Sequence, residues 1–112
     1  MKFLKAFNNS AALVEDDGTE KIVLGKGIGF GLKKGQDVDQ SKIERCFVTT
    51  EQSDEVEQVK EFTAQTIDVT NQIVKLVEPL LQTKFSDFQY LALADHIDID
   101  PANNDWEVKN LF

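Results

Sequence analysis

The chain has 112 residues with 12 basic and 20 acidic side chains, a formal net charge of −8, and 41% hydrophobic residues. This length allows one ordinary domain or two very small ones, and the apolar fraction excludes a chain that is disordered throughout. No apolar run approaches the length of a membrane-spanning helix, and the N-terminus becomes polar too early for a signal peptide. The single cysteine, Cys46, excludes an internal disulfide, which favours a cytoplasmic location. One cysteine and one histidine also argue against a structural zinc site, and no cofactor is expected.

The acidic side chains are concentrated in the second half of the chain. Residues 1–50 hold eight basic and seven acidic side chains, a net of +1, whereas residues 51–112 hold four and thirteen, a net of −9. Such an asymmetry indicates two units with different tasks. The second unit would repel a polyanion such as a nucleic acid, and the first need not.

The first half has the alternation and the turn residues of a small β-sheet. We predict four strands, with tight turns at Asn8-Asn9 and at Asp17-Gly18, because asparagine and the Asp-Gly pair favour the backbone of short hairpins. The predicted strands are residues 2–7, 11–15, 21–24 and 43–48. A four-stranded meander of this size has a small core and two open edges, so we expect it to dimerise by sheet packing.

A glycine-rich segment follows the third predicted strand. In Gly25-Lys26-Gly27-Ile28-Gly29-Phe30-Gly31 every second residue is glycine, which lets the backbone approach another backbone or a ligand closely. Phe30 is the one large side chain, and beside the cationic Lys26 it suits stacking on a nucleic-acid base. Spacing alone favours the alternative, a bulge or turn whose Phe30 folds back into a core. Neither the dinucleotide-binding nor the phosphate-loop motif is present.

From about Gln52 the hydrophobic period changes to three and four residues, as in amphipathic helices. We predict one helix through residues 56–67 and a second over residues 69–81 that starts at Thr70 or Asn71. A third is predicted over residues 83–97, with Ser86 as its N-cap.

The last residues are predicted to form a polar break, residues 98–105, and then the start of another helix, residues 106–112. The predicted fold is therefore α+β with two units. A four-stranded antiparallel sheet, dimeric, occupies residues 1–50. A linker at residues 51–54 leads to an incomplete helical bundle at residues 55–112.

Several polar and aromatic side chains of the first half have the chemistry of nucleic-acid binding. Amides pair with base edges, lysines contact phosphates and an aromatic ring stacks on bases. These candidates are Lys5, Asn8, Asn9, Ser10, Lys26 and Phe30. Turn chemistry alone would also account for Asn8, Asn9 and Ser10. In the second half, Asp95 and His96 are neighbours on a predicted helix and do not face each other, so a catalytic pair, and hence an enzyme, is disfavoured.

The first 48 residues resemble bacterial transcription antiterminators of the BglG/SacY type. The similarity runs through residues 1–10, 15–39 and 41–47. It implies a co-antiterminator RNA-binding domain, a four-stranded sheet that acts as a symmetric homodimer on a hairpin of nascent leader mRNA and prevents a terminator from forming. It places an RNA-contacting surface at Lys5, Asn8, Gly25, Lys26, Gly27 and Phe30.

Two positions differ from the family pattern. Ser10 stands where the family commonly has asparagine, and Lys26 where it often has arginine. A hydroxyl reaches less far than an amide, and lysine lacks the planar fork of arginine. We therefore expect an altered RNA affinity or preference rather than loss of binding.

The second half is similar to the start of the first PTS regulation domain. The similarity rests on residues 85–97, and it places His96 on a histidine that proteins of the sugar phosphotransferase system phosphorylate. The partners implied are the leader mRNA hairpin, a second copy of the chain and phosphotransferase-system proteins, with no membrane. The alternative is a protein-interaction and dimerisation module that binds no RNA.

Overall fold

A computed structural model describes residues 1–48, 54–100 and 105–108. Four antiparallel strands form one sheet in the order β1-β2-β3-β4, namely β1 (Lys2–Asn8), β2 (Ala11–Asp16), β3 (Thr19–Leu24) and β4 (Arg45–Val48). Three helices follow, α1 (Asp54–Glu61), α2 (Ala64–Leu81) and α3 (Asp87–His96). A two-stranded sheet of β5 (Ile97–Asp100) and β6 (Asp105–Val108) comes last. The predicted fold class, a four-stranded antiparallel sheet followed by helices, is confirmed.

Two-residue turns join the first three strands. Asn9-Ser10 connects β1 to β2, and Asp17-Gly18 connects β2 to β3. Asp17 and Gly18 both have positive φ, 51° and 80°, which matches the twist of a two-residue hairpin turn. The β2–β3 register is regular throughout, whereas the β1–β2 register shifts twice, and such bulges bend a strand.

Both faces of the sheet are covered by other parts of the same chain. The connection between β3 and β4 folds over one face, where it contributes Ile28 and Val38 to a core with Phe3, Ala12, Val14 and Val23. The helices cover the other face and contribute Val59, Ile67, Val74 and Tyr90 to a core with Ala11, Ile22, Leu24 and Phe47. The sheet is therefore the middle layer of the described chain.

The same connection also closes the outer edge of β1. The Phe3 amide donates to the Gln36 carbonyl, and the Gly35 amide donates to the Phe3 carbonyl, both at 2.8 Å. The Val38 amide donates to the Met1 carbonyl at 3.0 Å. Residues 35–38 therefore satisfy backbone groups that an edge strand would otherwise leave unpaired.

The helical half differs from the prediction at its first break. A single helix through residues 56–67 is wrong, because α1 ends at Glu61 and α2 begins at Ala64. Thr63 separates the two helices as the N-cap of α2, and its side chain accepts from the Thr66 amide at 3.1 Å. The predicted starts at Thr70 and Asn71 are also wrong, because both residues lie inside α2.

The predicted start of the third helix is confirmed, whereas the prediction for the end of the chain is wrong. Ser86 caps α3 as predicted, and with Gln89 it forms a capping box in which each side chain bonds the other residue's amide. The predicted polar break and the helix after it are wrong where they are described, because the backbone of Ile97–Asp100 pairs with that of Asp105–Val108. Residues 109–112 lie outside the described part, as do residues 51–53 of the predicted linker; α1 begins at Asp54.

Candidate nucleic-acid interface

The structure brings the two candidate stretches of the first half together. The amide of Gly25 donates to the Ser10 carbonyl at 3.0 Å, and the amide of Gly29 donates to the Asn9 carbonyl at 3.1 Å. The β1–β2 turn at residues 8–10 and the glycine loop at residues 25–30 therefore lie side by side. We call these two segments together with Lys5 the candidate RNA surface.

The glycines of this loop are needed for two different physical reasons. A Cβ on Gly25 would lie 1.8 Å from the Lys42 carbonyl oxygen, and one on Gly29 would lie 2.7 Å from the Asn8 carbonyl oxygen. Gly27 has no such neighbour, but its φ of +74° is a conformation that other residues rarely adopt. Close approach thus anchors the loop, and positive φ shapes its outer turn.

Phe30 projects from the loop with 73% of its surface exposed. The alternative in which Phe30 folds into a core is wrong, because Ile28 fills that role and is buried under the loop. The Phe30 amide donates to the Gly27 carbonyl at 3.1 Å, so the backbone beneath the ring is held in a turn. An exposed ring on a hydrogen-bonded loop is available for stacking on a base.

Four lysines and one asparagine are exposed on the elements that carry the candidate RNA surface. Lys26, Lys33 and Lys34 are all exposed on the connection between β3 and β4, and Asn9 is exposed at the β1–β2 turn. Lys5 is exposed on β1, where its Nζ lies 5.6 Å from the ring centroid of Phe7. Exposed lysine and asparagine side chains are of the kinds that contact phosphates and base edges in RNA complexes.

Asn8 and Ser10, in contrast, face the helices. The Asn8 side chain accepts from the Ser10 amide at 2.7 Å through Oδ1 and donates from Nδ2 to the Phe62 carbonyl at 3.0 Å. The Ser10 hydroxyl donates to Asp68 Oδ1 at 2.6 Å, and Ser10 is only 1% exposed. Phe62 and Asp68 are therefore partners of this surface that no local sequence pattern identified.

A cleft of about 210 Å³ separates the glycine loop from α2. Its lining carries both signs of charge, and across it the Lys75 Nζ lies 3.2 Å from Glu44 Oε1. The lining residues are Lys26, Glu44, Asp68, Asn71, Gln72 and Lys75. A hairpin stem is too large for a space of this volume.

His96, the predicted phosphorylation site, is the last residue of α3 and is half-buried. Among the described residues, no group of three or more His, Cys, Asp or Glu side chains is placed to hold a metal ion. None of the helices in the described part of the chain is both long enough and apolar enough to span a membrane.

Comparison with known proteins identifies the family of the domain that carries this surface. Residues 1–56, half of the chain, match the family model of the CAT RNA-binding domain. The chain belongs to the CAT RNA-binding domain family. The matched CAT segment contains all of β1 to β4 and the whole candidate RNA surface.

Two curated relatives align with the whole chain. The transcription antiterminator LicT of Bacillus subtilis (strain 168) is 31% identical over 127 aligned residues, which are 46% of its own length. The beta-glucoside operon antiterminator of Dickeya chrysanthemi is 28% identical over 129 aligned residues, which are 44% of its length. The chain spans less than half the length of the curated relatives it matches.

Two solved structures are similar to this chain. The crystal structure of GlcT CAT-PRDI has a TM-score of 0.66 and 24% identity and covers 85% of this chain and 60% of that one. This similarity shows the fold, including the helices behind the CAT sheet. The structure of the LicT antiterminator in complex with its RNA target is 38% identical over 46% of this chain and 96% of that one, with a TM-score of 0.43.

Proposed function

We propose that this protein is a transcription antiterminator that binds a hairpin of leader mRNA and prevents a terminator from forming. The observation that carries the proposal is the exposed Phe30 on a hydrogen-bonded loop next to Lys26, inside the segment that matches the CAT RNA-binding domain. Recognition of RNA loops commonly uses an aromatic side chain that stacks on an unstacked base while lysines contact the phosphates. The protein then acts by binding and not as an enzyme.

The residues predicted to contact RNA have roles that follow from their chemistry. Phe30 stacks on a base, Lys5 and Lys26 neutralise phosphates, and the Asn9 amide pairs with a base edge. The backbone at Gly25 and Gly27 lets the RNA approach closely. The Asn8 amide and the Ser10 hydroxyl would bond the RNA as well, once they are released from Phe62 and Asp68.

The second half is proposed to regulate the first. In this proposal residues 1–50 form the RNA-binding domain, residues 51–54 are a linker and residues 55–112 begin a PTS regulation domain that includes β5 and β6. Phosphorylation of His96 by phosphotransferase-system proteins would add negative charge at the end of α3 and shift the equilibrium between inactive and RNA-binding forms. The active form is a homodimer in the cytoplasm.

A gel-shift titration tests the RNA proposal. The probe is an RNA hairpin with two asymmetric internal loops, and the control is a hairpin of the same length and composition with a scrambled sequence. We expect a clear preference for the first hairpin at moderate salt and a loss of affinity as salt rises, because phosphate contacts release counterions. Equal affinity for both hairpins would contradict the proposal.

Exposed apolar side chains on the helices favour a second candidate, a protein-interaction module. Leu76 and Leu80 lie one turn apart on α2 with 72% and 81% exposure, and Phe88 of α3 is 80% exposed. A protein of this kind would form the same oligomer in sedimentation experiments. It would show no salt-dependent affinity for the hairpin.

A further inference from the structure

The hydrogen bonds made by Asn8 and Ser10 use the groups that RNA would need. Nδ2 of Asn8 donates to the Phe62 carbonyl, and the Ser10 hydroxyl donates to Asp68. These two donors lie on the turn that carries part of the candidate RNA surface. Because a hydroxyl has a single hydrogen to donate, Ser10 cannot donate to Asp68 and to an RNA acceptor at once.

The partners on the helices have the chemistry of RNA acceptors. Asp68 offers an anionic oxygen, as a phosphate does, and the Phe62 main chain offers a neutral carbonyl oxygen, as a base does. Asp68 is half-buried and belongs to the half of the chain whose net charge is −9. The helical unit thus places one carboxylate directly against the turn.

Apolar packing holds these acceptors in place. Val59 of α1 and Ile67 of α2 are fully buried in the core that contains Ile22, Leu24 and Phe47 of the sheet. Ile67 precedes Asp68 in the chain, so burial of Ile67 against the sheet fixes the position of the carboxylate beside Ser10. The helices also occupy the apolar face of the sheet that a second copy would need for sheet packing.

We infer that the segment between Val59 and Asp68 masks the β1–β2 turn by acting as an internal mimic of RNA, so that hairpin binding requires the helices to leave this face of the sheet. The inference rests on the proposed function and adds its regulation. Release would free the Asn8 and Ser10 donors and uncover Leu24 and Phe47 together. RNA binding and packing of a second sheet are therefore coupled through one event.

Asp68→Ala in the full chain tests the masking, with Asp95→Ala as the matched control. Both changes remove one carboxylate. Asp95, however, is exposed on α3 and is not among the residues that bond the β1–β2 turn. Loss of the Ser10–Asp68 bond shifts the population toward the open form, which raises the apparent affinity for RNA. We expect Asp68→Ala to bind the hairpin roughly tenfold more tightly than the parent chain, and Asp95→Ala to change affinity about twofold at most.

The outcomes separate the masking from the proposed function. If the parent chain prefers the hairpin over its scrambled control and Asp68→Ala binds no more tightly than Asp95→Ala, the masking is wrong and RNA binding stands. If neither the parent nor Asp68→Ala distinguishes the two hairpins, the proposed function itself is wrong.

Hydrogen exchange of the unmodified chain gives a second measurement that does not depend on how the variants fold. The amides of α1 and of the first turns of α2 are followed with and without a saturating concentration of the hairpin. Masking requires faster exchange in these amides when RNA is bound, because the helices lose their contact with the sheet. Unchanged or slower exchange would overturn the inference.

Discussion

The guanidinium of Arg45, on β4, lies 4.8 Å from the ring centroid of Tyr90, on α3. The same guanidinium donates to the Phe85 carbonyl and lies 3.5 Å from Asp87 Oδ1. Tyr90 in turn packs against Phe47 at 5.9 Å between ring centroids, with the two rings inclined by 62°. Arg45 and Tyr90 therefore join β4, at the edge of the sheet, to α3 and the residues just before it through cation–π, hydrogen-bond and aromatic contacts.

Truncation of Tyr90 should destabilise the fold in two separable steps. Tyr90→Phe keeps the ring but removes the hydroxyl that donates to Asn71 Oδ1, and we expect a loss of about 1 kcal/mol in the free energy of unfolding. Tyr90→Ala also leaves a cavity at a side chain that is only 1% exposed, with an expected loss of roughly 3–5 kcal/mol. Urea unfolding of the three proteins measures both values. Equal stability of Tyr90→Ala and Tyr90→Phe would show that the ring does not contribute.

Tyr90 should also resist ionisation at alkaline pH. Burial raises the pKa of its phenol well above the ordinary value, against the opposing effect of Arg45. Because the folded chain holds the proton more tightly than the unfolded chain, the contribution of Tyr90 to the free energy of unfolding stays constant below about pH 10 and falls as pH rises through the unfolded pKa. Tyr90 is the only tyrosine, so phenolate absorbance reports it alone. A titration near pH 10 with the fold intact would contradict the burial.

Phe30→Ala should separate RNA binding from stability. The exposed ring contributes little to the core, so we expect thermal unfolding to be unchanged. Hairpin affinity should fall by roughly 1–3 kcal/mol, the usual contribution of one stacked base. Phe88→Ala is the matched control, because Phe88 is equally exposed but lies on α3. If both variants lose affinity to the same extent, Phe30 has no specific role.

Alanine at Gly25 and at Gly27 should have different costs. At Gly25 the new Cβ would overlap the Lys42 carbonyl, so the backbone of the β3–β4 connection has to move, and we expect a loss above about 2 kcal/mol. At Gly27 there is open space, and only the positive φ is penalised, by roughly 1–2 kcal/mol. Thermal or urea unfolding compares the two. A larger loss at Gly27 would contradict the packing at Gly25.

The features that follow from short stretches of sequence were predictable. Asp17-Gly18 specifies a two-residue turn by its own conformational preferences, and Ser86 caps α3 through bonds within four residues. The break at Thr63 was missed because the apolar spacing of three and four runs through it without interruption. The signal available was a threonine able to accept from the amide three residues later. The signal available for β5, which was predicted as part of a polar break, was the alternation in Ile97-Asp98-Ile99-Asp100, which has the period of a strand.

The surroundings of the candidate RNA surface depend on contacts that no local pattern contains. Ser10 and Asp68 are 58 residues apart, and Asn8 and Phe62 are 54 apart. The helices cover this face of the sheet because Val59 and Ile67 share a core with Phe47, and the sequence near the turn does not contain that information. The exposure of Phe30 likewise depends on Ile28, which fills the core beneath the loop in its place.

The hydrogen bonds from residues 35–38 to the start of β1 make the two ends of the sheet unequal. One side is already paired with its own chain at Phe3 and Met1, so it cannot accept a foreign strand without first losing those bonds. If two molecules paired through their β4 strands, each four-stranded sheet would lose its remaining open edge. Growth through the four-stranded sheet is therefore self-limiting and stops at a pair, so this sheet cannot extend into a fibre.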